Sequence, residues 1–85
     1  MPRISEFYGI VIYMYYDDHE PPHFHASYGG EEAMFDLKGN LIKGTLPKRA
    51  LALIREWAME NQSLIVENWN LARDYQPLKW IKPLL

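Results

Sequence analysis

"HFHASYGGEEAMFDL", His23 to Leu37, holds two alternating runs on either side of a glycine pair. Side chains on a strand have period two, so Phe24, Ala26 and Tyr28 point one way and His23, His25 and Ser27 the other. Gly29-Gly30 allows the positive φ that a tight hairpin demands. With a loop of only these glycines, Tyr28 sits opposite Glu31. Counting outward then sets Ala26 against Ala33, Phe24 against Phe35 and His23 against Asp36. The apolar faces coincide in this register, and a slip of one residue would mix them. Gly39-Asn40 repeats the turn signal ahead of "LIKGTL", and the same count puts Leu37 opposite Ile42 and Asp36 opposite Lys43. The face away from the core is thus expected to carry His23, Asp36 and Lys43 as a row across three strands.

Upstream, "GIVIYMYY" (Gly9 to Tyr16) is β-branched and aromatic, apolar on both faces and closed by acidic turn residues, so it reads as a central strand. Downstream the period changes. Leu46, Ala50, Leu53, Ile54, Trp57 and Ala58 form one helical stripe, with Thr45 placed to cap it and Pro47 tolerated in its first turn. "LIVENWNLARDY" (Leu64 to Tyr75) reads as a second helix, and Pro77 follows its end. The apolar tail "PLKWIKPLL" is expected to pack back on the body of the protein. The pattern predicts an α+β fold over residues 1–85 as a single domain. It comprises an antiparallel β-meander of about four strands followed by two helices packed on one sheet face.

An 85-residue chain has room for one core, and a hydrophobic fraction of 48% is enough to fill it. A net charge of −2 excludes the broad basic surface of a dedicated nucleic-acid binder, so any such contact must be local. The absence of cysteine excludes disulfides and thiolate zinc sites. No leader and no apolar run of membrane-spanning length is evident, which leaves the cytoplasm as the expected location.

All three histidines fall within "DDHEPPHFHASYGG", Asp17 to Gly30. His23 and His25, spaced H-x-H, share a strand face and can reach one ion at about 2.0–2.1 Å. His19 lies across the stiff Glu20-Pro21-Pro22 segment. Three imidazoles, His19, His23 and His25, with a water form a recurring site for a divalent metal such as zinc, and Asp17, Asp18, Glu20 or Asp36 could add an oxygen ligand. A second reading needs no metal. His23 and His25 would transfer protons with Asp36 orienting His23, and Lys43 or Arg3 would steady a developing anion such as a phosphate, as a small ribonuclease requires. A third reading makes the histidines organisers of the turn through hydrogen bonds to Asp18 and Asp36. The residues leave all three open. Ser27 shares the histidine face but lacks the glycines of a nucleophile elbow. Lys48, Arg49 and Arg55 are interspersed with Glu56 and Glu60 and read as a solvated helix face.

The stretches "ISEFYGIVIYMYYDDHEPPHFHASYGG", "GTLPKRAL", "LIREWA", "ENWNLAR" and "IKPLL" resemble the family of small bacterial proteins called domain of unknown function 4160, almost from end to end. The segment Asp18-His19-x-x-Pro22-His23-Phe24-His25 is its most distinctive part. The resemblance implies context more than chemistry: such proteins are often encoded beside another short protein and suspected of forming toxin–antitoxin-like pairs. It therefore implies a short protein partner and an RNA or translation target, and admits a homo-oligomer. A non-enzymatic interaction module, antitoxin or structural partner, is the rival from another class.

Overall fold

The computed structural model describes residues 2–85. One sheet holds five antiparallel strands in chain order: β1 (Arg3–Phe7), β2 (Ile10–Tyr13), β3 (His23–Tyr28), β4 (Glu31–Asp36) and β5 (Leu41–Gly44). Two helices follow, α1 (Lys48–Glu60) and α2 (Gln62–Arg73). The class is α+β as expected, with one strand more than the sequence suggested. The extra strand is β1, which contributes Ile4 and Phe7 to the core. It is joined to β2 by Tyr8 and Gly9, at φ 51° and 80°. A hairpin turn with two positive φ values normally advertises itself by Asn or Gly at both positions. Tyrosine at the first of them conceals it.

The register of β3 on β4 is the one counted from the sequence: Tyr28 faces Glu31, Ala26 faces Ala33, Phe24 faces Phe35 and His23 faces Asp36. The register of β4 on β5 differs. Lys43 pairs with Met34 rather than Asp36, Leu41 pairs with Phe35, and the ladder is irregular between Met34 and Phe35. Asp36 is the cause, because its carboxylate captures the following loop. Oδ1 accepts the Lys38 and Asn40 amides, each at 2.9 Å, and Oδ2 accepts Asn40 Nδ2 at 3.1 Å. The Asp36 amide in turn donates to the Asn40 carbonyl at 2.9 Å, so the turn begins at Asp36 and not at Gly39. The row His23, Asp36, Lys43 therefore does not form. β5 also runs unusually close to β4: a Cβ at Gly44 would lie 2.6 Å from the Glu32 carbonyl oxygen and 2.9 Å from Ala33 Cα, and its φ is 88°.

Phe24 and Phe35 stack at 5.4 Å, and Trp57 of α1 meets Phe24 edge-on at 5.7 Å, which builds the core between α1 and this sheet face. Burying such rings contributes about 1.5–3 kcal/mol each, before the entropy of ordering them. Helix α1 starts at Lys48, with Pro47 at its N-cap and no side-chain cap, so Thr45 does not serve. The second helix departs from one-face packing. Trp69 of α2 lies 5.3 Å from the ring of His23, one residue along from Phe24 and so of opposite alternation. His23 is thereby buried, at 1% exposure, on what would otherwise be the open face. The tail packs back as expected: Ile81 donates its amide to the Ile4 carbonyl at 2.7 Å, and the Trp57 indole donates to the Lys82 carbonyl at 3.1 Å. Buried Asn68 holds both backbone groups of Lys79 at 2.8 Å. Among the described residues no helix is long and apolar enough to cross a membrane.

Candidate metal centre

Beyond β2 the chain from Met14 to Pro22 crosses to the start of β3, and the C-terminal end of α2 fixes its path. The Asp17 amide donates to the Ala72 carbonyl at 3.0 Å, and Asp17 takes a left-handed conformation at φ 49°. That reversal turns the next residue, Asp18, back toward the two histidines of β3. Asp18 Oδ2 lies 2.8 Å from His23 Nε2 and 3.1 Å from His25 Nε2. Its Oδ1 accepts the His19 amide at 2.9 Å and sits 3.0 Å from His19 Nδ1.

His23 decides what this geometry means. Its Nδ1 is 2.7 Å from the Pro21 carbonyl oxygen, which can only accept, so Nδ1 carries a hydrogen. In the neutral ring Nε2 then presents a lone pair, and it faces a carboxylate oxygen that also presents lone pairs. Either a hydrogen, on Nε2 or on the carboxyl oxygen, or a metal ion must lie between them. A ligating histidine usually donates its other N–H to a carbonyl or carboxylate, and Pro21 supplies that partner here. His25 Nε2 converges on the same oxygen. Atoms bound to one ion at about 2.0–2.1 Å lie roughly 2.9–3.4 Å apart for octahedral to tetrahedral angles. Of the two observed separations from Oδ2, 3.1 Å falls in that range and 2.8 Å lies just below it. Ligand atoms of Asp18, His23 and His25 all fall within 4.8 Å of one another.

The surroundings hold these side chains in place. Tyr13 stacks on His25 at 5.3 Å and Tyr15 meets it edge-on at 4.9 Å. Burial, with the neighbouring Glu32 carboxylate and Tyr15, pushes the Tyr13 phenol up to about 12, so it stays protonated. Burial also pushes the Asp18 carboxyl up. The bonds from His25, the His19 amide and His23 outweigh it, and the group ends below the ordinary carboxylate value. It is therefore an anion at neutral pH, ready to hold a cation. The carbonyl end of α2, which the Ala72–Asp17 bond aims at this loop, carries the negative pole of the helix and favours positive charge nearby.

The remaining candidates from the sequence go elsewhere. Asp36 spends both oxygens on its own turn. Lys43 stands at the end of a cross-strand row Tyr13, His25, Met34, Lys43, beside a shallow cleft of 210 Å³ that also touches Glu32. Arg3 pairs with Glu6 at 3.4 Å in β1, at the opposite edge of the sheet from Lys43 in β5. Asp17 accepts from the Tyr75 hydroxyl, and Glu20 pairs with Arg73 at 3.3 Å. His19 is 79% exposed and addresses the other oxygen of Asp18, so His23 and His25 converge with an aspartate and not with a third imidazole. Asp18 was one of four acidic candidates in the sequence. Nothing in their spacing singles it out, because its direction depends on contacts of Asp17 with Ala72 and Tyr75, more than fifty residues later in the chain.

The model of the family described as "Domain of unknown function (DUF4160)" matches residues 9–70, a span that contains the whole loop, all of β3 and the cluster of Asp18, His23 and His25. Among curated proteins and solved structures none matches the chain.

Proposed function

The chain belongs to the DUF4160 family, and we propose that it is a divalent-metal-binding protein whose ligands are Asp18, His23 and His25. The observation that carries this reading is His23, with Nδ1 committed to the Pro21 carbonyl and Nε2 set against the Asp18 oxygen that His25 also addresses. Two imidazoles and one carboxylate suit zinc, and equally iron(II) or manganese. Three protein ligands leave further positions for water or substrate, the arrangement of a catalytic rather than a closed structural site. An ion there would supply Lewis acidity and a water that ionises near neutral pH. Exposed His19, held loosely at the edge of the centre, is placed to exchange a proton with solvent. RNA, the target implied by the family resemblance, is the first substrate class to assay, alone and with the short protein partner that the resemblance implies.

Titration of the chelator-stripped protein with zinc, manganese and iron(II) by calorimetry tests the reading. The expected result is one ion per chain for at least one metal, with His25→Ala losing most of the affinity. The rival is a metal-free clasp in which a protonated His23 donates to Asp18, since 2.8 Å also suits a charge-assisted hydrogen bond. Absence of binding by all three metals would favour that clasp and end the metal reading.

A further inference from the structure

Helix α2 ends in a Schellman turn: the Gln76 amide donates to the Leu71 carbonyl at 2.9 Å and the Tyr75 amide to the Ala72 carbonyl at 3.2 Å. The residue that must turn left-handed in this motif is Tyr75, at φ 55°. Glycine is the usual occupant because it bears no Cβ, and a tyrosine there is strained. Helix termination alone does not call for a tyrosine. What the side chain does is reach the metal-binding loop. Its hydroxyl donates to Asp17 Oδ2 at 3.0 Å, and its ring stacks on Tyr16 at 6.1 Å and 13°. Asp17 is itself left-handed and immediately precedes the ligand Asp18. The Ala72 carbonyl accepts from both Asp17 and Tyr75, so two strained residues share one backbone acceptor and one side-chain hydrogen bond. Strain of this kind persists where surrounding contacts hold it, and it collects at functional sites.

We infer that Tyr75 is a positioning residue for the metal centre: by holding Asp17 in its left-handed turn, its hydroxyl aims the Asp18 carboxylate at His23 and His25 and so sets the affinity for metal. The inference rests on the proposed metal reading. Tyr75 lies beyond residues 9–70, the span matched by the family model. Trp69, Ala72 and Arg73 complete the same contact through His23, Asp17 and Glu20, which makes the last turns of α2 a support for the loop as well as part of the fold.

Two substitutions separate positioning from stability. Tyr75→Phe removes only the hydroxyl and keeps the stacking. Tyr75→Gly removes the side chain and relieves the left-handed strain. Zinc affinity, from competition with a chromophoric chelator, is measured for each chelator-stripped protein beside its metal-free melting midpoint. For Tyr75→Phe the expected result is about a tenfold weaker zinc affinity with an almost unchanged midpoint. For Tyr75→Gly it is at least as large a loss of affinity without a matching fall in midpoint. Wild-type affinity in Tyr75→Phe would overturn the inference, as would losses of affinity that merely follow losses of stability. A wild-type protein that binds none of zinc, manganese and iron(II) would overturn the metal reading and the inference together. That failure differs visibly from one in which the wild type binds and the variants bind equally well.

Discussion

Replacing Asp36 by alanine separates its role as a turn organiser from the role of partner to His23 suggested by strand counting. The carboxylate accepts three bonds from its own loop, at 2.9, 2.9 and 3.1 Å. At about 1 kcal/mol net for each, discounted because the site is partly open to solvent, their loss costs about 2 kcal/mol. In a chain of this size that lowers the melting midpoint by roughly 10 °C. Asp36→Asn keeps one acceptor oxygen but sets an NH₂ group against donors, and should cost about half as much. The sign of the pH dependence follows from the same bonds. Burial raises the Asp36 carboxyl, but the Asn40, Lys38 and Gly39 donors outweigh it and leave it below its ordinary value. A group depressed on folding contributes stability that is present above its unfolded pKa, near 3.9, and is lost as pH falls through the folded value. Urea unfolding of wild type and Asp36→Ala from neutral pH down to about pH 3 should therefore show two curves that converge toward acid. A variant within about 0.5 kcal/mol of wild type at neutral pH would refute the turn argument. So would one that kept its stability but lost metal binding, which would return Asp36 to the centre.

Gly44→Ala should destabilise by more than about 2 kcal/mol, since the new methyl meets the β4 backbone at a positive φ; urea unfolding checks this, and a neutral variant would mean that β5 moves away freely. Asn68→Ala leaves both backbone groups of Lys79 without their buried partners and should release the tail. Faster hydrogen exchange of the Ile81 amide, which bonds to Ile4, is the expected signature, and unchanged protection would show that apolar contacts alone hold the segment. Phe24→Ala opens a cavity beneath Trp57 and beside Phe35 and should cost about 3–5 kcal/mol in the same urea assay.

The β3–β4 hairpin was legible because two independent signals agree: matching apolar faces and a glycine pair that admits only one short loop. β1 was not, since "RISEF" carries just Ile4 and Phe7 as apolar residues and its turn uses a left-handed tyrosine that no propensity marks. The β4–β5 register departs from strand counting for a different reason. Gly39-Asn40 resembles a two-residue turn, but the Asp36 carboxylate competes for the loop amides and wins. Helix α1 was placed correctly by its apolar stripe, whereas its start at Lys48 depends on backbone geometry at Pro47. At the site, the H-x-H spacing brought His23 and His25 to notice. The burial of His23 depends on Trp69, and the aim of Asp18 depends on Ala72 and Tyr75. These are long-range contacts, and local spacing does not encode them.

The imidazole nitrogens offer the most direct test of the metal reading. Long-range ¹H–¹⁵N spectra of the chelator-stripped protein, recorded before and after one equivalent of zinc, report which ring nitrogens carry a proton, which carry a lone pair and which bind metal. The expected result is that His23 keeps its hydrogen on Nδ1, facing the Pro21 carbonyl, while the Nε2 signals of His23 and His25 shift together on addition of zinc. His19 should keep the spectrum of a solvent-exposed ring. A zinc-independent spectrum with both His23 nitrogens protonated, or zinc captured by His19 and His25 without His23, would contradict the metal centre described for Asp18, His23 and His25.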